Sequence, residues 1–141
     1  PLPKNPLTAL KELIQVGELA EEFELYGLKW KMRALDQNDL LLSLDAIKDS
    51  LDTQSGKFMA MATAQVIYSI EEINGIPIYS IFPDIKLEDF NNDEQEYIFA
   101  VKRALKKYLT SLPPQVLDDM YAKYTEIDKK RNEALDELKN F

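Results

Sequence analysis

Residues 21–47, EEFELYGLKWKMRALDQNDLLLSLDAI, constrain the fold more than any other stretch of the chain. Phe23 and Leu25 alternate with Glu22 and Glu24, and beyond Tyr26-Gly27 the side chains Leu28, Trp30, Met32 and Ala34 alternate with Lys29, Lys31 and Arg33. A period of two on both sides of a glycine-containing turn predicts an antiparallel ribbon with one buried face. The other face carries acid on the first strand and base on the second, and opposite charges facing each other would add roughly 0.2–1 kcal/mol per pair to the correct register. Leu35 closes the second strand. Asp36-Gln37-Asn38-Asp39 then reads as a helix N-terminus, with Asp36 accepting from exposed amides and Asp39 supplying negative charge where the helix dipole favours it.

The remainder is expected to be mostly helical. Asn5-Pro6 fits an N-cap followed by proline at the first helical position. Leu7, Leu10, Leu13 and Ile14 then form an apolar stripe on a helix ending near Gly17, too short to be stable unless it docks on the ribbon or on another chain. The run Leu40-Leu41-Leu42-Ser43-Leu44 with Ile47 and Leu51 is apolar on more than one side, while Asp45, Asp49 and Asp52 share a face that reads as solvated rather than metal-binding. Residues 57–73 are read as a helix on the spacing of Met59, Ala62, Val66, Ile70 and Ile73, although Val66-Ile67-Tyr68 is also strand-prone. Asn74-Gly75 is either the left-handed cap of that helix or a hairpin turn, and the cap followed by an extended segment is the expectation. Ile81, Phe82, Ile85, Leu87 and Phe90 are too apolar for a free linker and should pack down on the domain or a partner.

Asn92 with Gln95 imitates a capping box, and Tyr97, Ile98, Val101, Ala104, Leu105, Tyr108 and Leu109 form one stripe. Leu112-Pro113-Pro114 ends that helix. The last helix, from Gln115 to about Lys139, carries Leu117, Met120, Tyr124 and Ile127 at three- and four-residue steps, with Arg131 interrupting the seam. About 25 helical residues span roughly 37 Å, so this helix either packs along its own domain or projects to meet another copy. The fold class expected is therefore mainly α (α+β): a helical domain with a small N-terminal β-hairpin and a long C-terminal helix. Residues 1–112 form the core domain, and residues 113–141 are an amphipathic helix belonging to it or projecting from it.

The chemistry available to such a chain is narrow. With 25 Asp and Glu against 17 Lys and Arg the net charge is −8, and no basic block offers a surface for nucleic acid or anionic membrane. Neither cysteine nor histidine occurs, which removes thiolate chemistry, disulfides, the commonest general base and the commonest transition-metal ligand together. Gly17, Gly27, Gly56 and Gly75 are isolated, so no phosphate loop is present, and no serine has an activating partner or nucleophile-elbow glycines. Lys29, Lys31 and Arg33 are expected to pair with nearby acids rather than with phosphates. No enzyme, cofactor or metal site is expected. With no apolar run of membrane-spanning length and no signal-peptide pattern, the chain reads as soluble and untargeted.

The segment E-L-Y-G-L-K-W-K-M-R-A-L-D-Q-N-D-L-L-L-S-L, from Glu24 to Leu44, resembles the tail assembly chaperones of tailed bacteriophages, in which a short ribbon ending in a basic and apolar strand leads into an acid-capped helix. The likeness continues in A-T-A-Q-V-I-Y-S-I-E-E-I-N-G-I-P, from Ala62 to Pro77. Together these cover about a third of the chain; the long C-terminal helix has no counterpart in the resemblance. The resemblance implies a protein of the host cell cytoplasm, absent from the finished virion, that coats the apolar, helical tape measure protein and helps recruit tail tube protein around it. A virion adaptor of the baseplate or head–tail connector is the alternative. Leu117, Met120, Tyr124 and Ile127 are the expected partner-binding stripe, used for the client helix and for weak homo-oligomers. Ile78 and Phe82, within the apolar segment 76–82, are the next candidates.

Overall fold

A computed structural model describes residues 5–47 and 54–139, with side chains placed at 5–44 and 56–139. Among the described residues, six α-helices and one four-stranded sheet follow in the order α1 (Pro6–Gly17), β1 (Ala20–Leu25), β2 (Leu28–Arg33), α2 (Gln37–Ile47), α3 (Gln54–Ser69), β3 (Ile70–Ile73), β4 (Ile76–Pro77), the single turn α4 (Ile78–Ile81), α5 (Glu94–Leu109) and α6 (Pro114–Lys139), with a 3-10 turn at Leu87–Phe90 before α5. The fold is mainly helical with an N-terminal hairpin and a long C-terminal helix, as the sequence pattern predicts. The acidic face of Asp45, Asp49 and Asp52, and the apolar positions Ile47 and Leu51, lie outside the described side chains.

The ribbon has the expected register. Phe23 lies opposite Trp30, Glu22 opposite Lys31 and Glu24 opposite Lys29, so one face gathers Trp30 and Met32, both buried, and the other gathers charge. Tyr26 and Gly27 both have positive φ, the geometry that lets a two-residue turn follow the right-handed twist of its strands. The indole of Trp30 donates to the Leu25 carbonyl at 3.1 Å, which satisfies the one polar atom on the apolar face.

The helix expected over residues 57–73 is corrected at its C-terminal end. It stops at Ser69, and Ile70–Ile73 continues directly as β3, antiparallel to β2. Asn74 and Gly75, both with positive φ, make a hairpin turn into β4 rather than a helix cap, and the segment beyond turns helical rather than extended. The reason is tertiary: β2 offers an edge, and Asn74 anchors the turn to it, its N–H donating to the Lys29 carbonyl at 2.6 Å and its Oδ1 accepting from the Lys29 N–H at 2.9 Å. The cap of α5 also shifts by one residue. Asn91 and Asn92 are left-handed, closing the 3-10 turn, so Asp93 caps the helix through the N–H groups of Gln95 and Glu96.

Pairing of β3 with β2 is irregular, because Glu72 faces Lys31 while Ile70 faces Met32. The extra residue is Glu71, and a bulge of this kind re-aims a side chain. As a result both carboxylates reach the basic face of β2. Lys31 meets Glu72 at 3.3 Å and Glu71 at 3.7 Å, and Arg33 Nε meets Glu71 at 3.0 Å. The expected intramolecular pairing is thus observed, with most of the acid coming from β3.

The core lies where β2, α3, α5 and α6 converge, with Trp30, Met32, Val66, Ile67, Ile70, Val101, Leu105, Met120 and Ile127 among its buried members. Helix α3 is its hub, touching α2, α5 and α6. Phe82 and Ile85 pack against this core from the loop before α5.

Candidate partner-binding surface

Four of the six residues expected to bind a partner are interior. Met120, Tyr124 and Ile127 form the face of α6 that packs on α3 and β2, and Ile78 is the buried first residue of α4. Burial, reinforced by the Asp128 carboxylate, pushes the Tyr124 hydroxyl up to about 12. Leu117 is half-buried against the same core. The stripe on α6 is therefore corrected: it is the side of a core rather than a free docking face, since α3 and the ribbon together cover the span that the length of the helix left open. Arg131 has a domestic role too, its Nη1 donating to the Leu35 carbonyl at 2.8 Å and its Nη2 meeting Asp128 at 2.6 Å. It ties α6 to the end of β2 instead of interrupting a coil.

Contacts from the ribbon hold α6 on its other flank. Lys130 meets Glu21 at 2.7 Å, Lys123 lies 5.3 Å from the Phe23 ring, and the Tyr26 hydroxyl donates to Asp119. Along α6 itself Glu126 meets Lys130 at 3.8 Å and Lys123 at 3.5 Å, while Asp119 accepts from Tyr26 and Gln115.

Phe82, the sixth residue, is placed differently. It is half-buried on the wall of a cleft of about 520 Å³ between the sheet and α5, with Leu28, Trp30, Ile73, Leu105 and Tyr108 among its neighbours there. Its ring stacks on that of Tyr108 with centroids 6.1 Å apart.

The largest departure from a closed domain is α1. Asn5 caps it as expected, accepting from the N–H groups of Leu7 and Thr8. Yet none of its residues is buried: Leu7 is 60% exposed, Leu10 56%, Leu13 46% and Ile14 59%. The helix meets α6 more closely than any other element, and its apolar stripe is turned outward. On α3, Phe58 and Met59 are also mostly exposed, with the Phe58 ring edge-on to Tyr121 at 6.4 Å. Burying the exposed half of the four α1 side chains would contribute roughly 3–7 kcal/mol to binding before any ordering cost. The neighbour that such a helix needs is α6, yet among the described residues its apolar stripe stays about half exposed.

A second feature escaped the sequence reading. Lys102 of α5 is buried, and its Nζ donates to the carbonyls of Ile67 at 3.1 Å, Tyr68 at 3.3 Å and Ile70 at 3.0 Å. These are carbonyls from the end of α3 and the start of β3, which no glycine cap satisfies. Burial, with the Arg33 charge acting in the same direction, pulls the ammonium down to about 7. The signal was its position: Lys102 lies four residues after Ile98 and three before Leu105, inside the apolar stripe of its helix.

Among the described residues no group of three or more acidic side chains is placed to hold a metal ion, and no helix is long and apolar enough to cross a membrane. No buried side-chain nitrogen or oxygen among them lacks a hydrogen-bond partner. Comparison with family models, with curated proteins and with solved structures finds no match for this chain.

Proposed function

We propose that this chain is a non-enzymatic tail assembly chaperone that binds the tape measure protein of a tailed phage in the host cell cytoplasm, keeps it soluble and helps recruit tail tube protein around it. The observation that carries the reading is α1, a capped helix whose apolar stripe stays about half exposed among the described residues, on a domain whose described buried side-chain polar atoms are satisfied. A stripe at positions 7, 10, 13 and 14 suits side-by-side contact with another amphipathic helix. The client implied by the resemblance of residues 24–44 and 62–77 to tail assembly chaperones is itself a long apolar helix. The client surface is accordingly assigned to α1, in place of the stripe on α6.

The test pairs two measurements. Purified protein mixed with the tape measure protein should retain it on an affinity resin, and mass spectrometry of finished particles should not find the chain at ring stoichiometry. Ring stoichiometry in particles together with no tape measure retention would replace this reading by that of a virion adaptor.

A further inference from the structure

The two edges of the four-stranded sheet are finished differently. β4 closes one of them with two residues, the second a proline, before the chain turns helical at Ile78, which leaves too little edge for a further strand. β1 closes the other with six residues, no proline and an unbroken register against β2. Among the described elements β2 is the only extensive neighbour of β1. Helix α6 reaches it from the apolar face, through Lys130 on Glu21 and Lys123 beside the Phe23 ring.

The phase of the ladder fixes which groups β1 leaves open. Lys29 turns both its N–H and its carbonyl to Asn74, away from β1, and the Leu19 carbonyl accepts from the Ala34 N–H at 2.8 Å. Bonded and unbonded pairs alternate along two antiparallel strands. Glu21, Phe23 and Leu25 therefore bond to β2, while Ala20, Glu22 and Glu24 point their N–H and carbonyl groups outward. No other described residue takes up these outward groups. Such a row of donors and acceptors is what an extended segment adds to. The side chains standing on it are acidic: Glu22 and Glu24 are exposed, and of the two Glu22 alone has an ion-pair partner among the described residues, Lys29 at 3.3 Å.

We propose that the outer edge of β1 takes up, as a fifth strand, an extended segment of a partner protein in which basic and apolar residues alternate. Residues directly opposite each other on neighbouring strands share a face. Lys or Arg of that segment would stand opposite Glu22 and Glu24, and its apolar side chains would continue the row of Phe23 and Leu25. β2 already presents this pattern to the inner edge of β1, with Lys31 opposite Glu22, Lys29 opposite Glu24 and Trp30 opposite Phe23. A second copy of this chain does not meet the requirement, because pairing two β1 edges brings their acidic faces together, and like charges set opposite each other destabilise the pair. The site lies on a different element from the α1 stripe and does not rest on the tape measure reading.

The probe is a short synthetic peptide of alternating lysine and valine, capped at both ends, with a glutamate–valine peptide as control, and the readout is amide hydrogen exchange by NMR. In the free protein the amides of Ala20, Glu22 and Glu24 should exchange faster than those of Glu21, Phe23 and Leu25, and the lysine peptide alone should remove the difference. Glu22→Pro deletes one outward N–H without touching the ladder to β2; it should fold, and the peptide should then leave Ala20 and Glu24 unprotected. Should it not fold, Glu22→Gln with Glu24→Gln, which keeps the backbone edge, should weaken peptide binding by roughly twofold to thirtyfold. No protection by millimolar lysine peptide, equal protection by the glutamate peptide, or unchanged affinity in the glutamine variant would overturn the proposal. So would protection of the three outward amides in the free protein, whether it grows with protein concentration, as a second copy on the edge requires, or does not, as cover by the chain's own residues requires.

Discussion

Arg33 and Asp39 hold each other through two hydrogen bonds, Nη1 to Oδ2 at 2.6 Å and Nη2 to Oδ1 at 2.9 Å. The same Asp39 carboxylate accepts from the Asp36 N–H at 3.1 Å, and the Asp36 carboxylate accepts in turn from the Asp39 N–H at 2.8 Å. This reciprocal cap starts α2, and the guanidinium bolts it to the last residue of β2. Arg33 also reaches Glu71 of β3, so one side chain joins the first hairpin, the second hairpin and the helix between them.

That junction should make the fold acid-sensitive. Burial by itself would raise the Asp39 carboxyl, but the hydrogen bonds and charge of Arg33 outweigh it and hold the group below the ordinary carboxylate value. A lowered value in the folded state contributes stability that is complete above about pH 4 and is lost as pH falls through the folded value. Asp39→Asn, which keeps the shape of the cap, should cost about 1.5–3 kcal/mol at pH 7, the worth of hydrogen bonds to a charged group. The deficit should shrink in urea titrations near pH 2. An equal deficit at both pH values would mean that shape, not charge, is what Asp39 supplies.

The two faces of β2 should respond unequally. Trp30 is 2% exposed at the centre of the core, and Trp30→Ala should destabilise by roughly 3–5 kcal/mol. Lys31 pairs with Glu71 and Glu72 at a solvent-reached site, where screening leaves an ion pair little to contribute. Urea denaturation of both variants checks the contrast, and effects of equal size would contradict the assignment of faces.

Charge placed on the inner face of α6 should prevent folding. Met120→Asp and Tyr124→Asp each put a carboxylate into the core, where an unpaired buried charge costs several kcal/mol. Leu138→Asp, on the exposed end of the same helix, should change stability by less than about 0.5 kcal/mol. Circular dichroism and thermal melts distinguish the two. A folded Met120→Asp protein would return the α6 stripe to the surface.

The contrast between these elements explains what could be read from the chain alone. The ribbon was legible because its alternation is local and its turn residues carry their own geometry. The end of α3 was not, because the group that closes it, Lys102, lies more than thirty residues downstream and acts through its side chain. Residues 117–127 were legible as an apolar stripe, but a stripe is the same whether α3 or a partner covers it. Helix length suggested a partner, and packing on β2 and α3 supplied the cover. For α1 the pattern was equally plain, and here the described residues leave the stripe about half exposed. Periodicity alone does not distinguish the covered stripe of α6 from the exposed stripe of α1.

The outward stripe of α1 should be dispensable for folding. Leu10→Asp with Ile14→Asp changes two exposed side chains on a helix without buried residues, so the cost to the domain should stay below about 1 kcal/mol. Far-ultraviolet circular dichroism and urea midpoints close to wild type are expected.

The most direct measurement is the soluble fraction of the tape measure protein co-expressed with the wild-type chain or with this α1 double variant. The wild-type chain should keep the tape measure protein in the supernatant, and the folded variant should leave it in the pellet. Equal rescue by both would contradict the assignment of the client surface to α1, and no rescue by the wild-type chain would contradict the chaperone function itself.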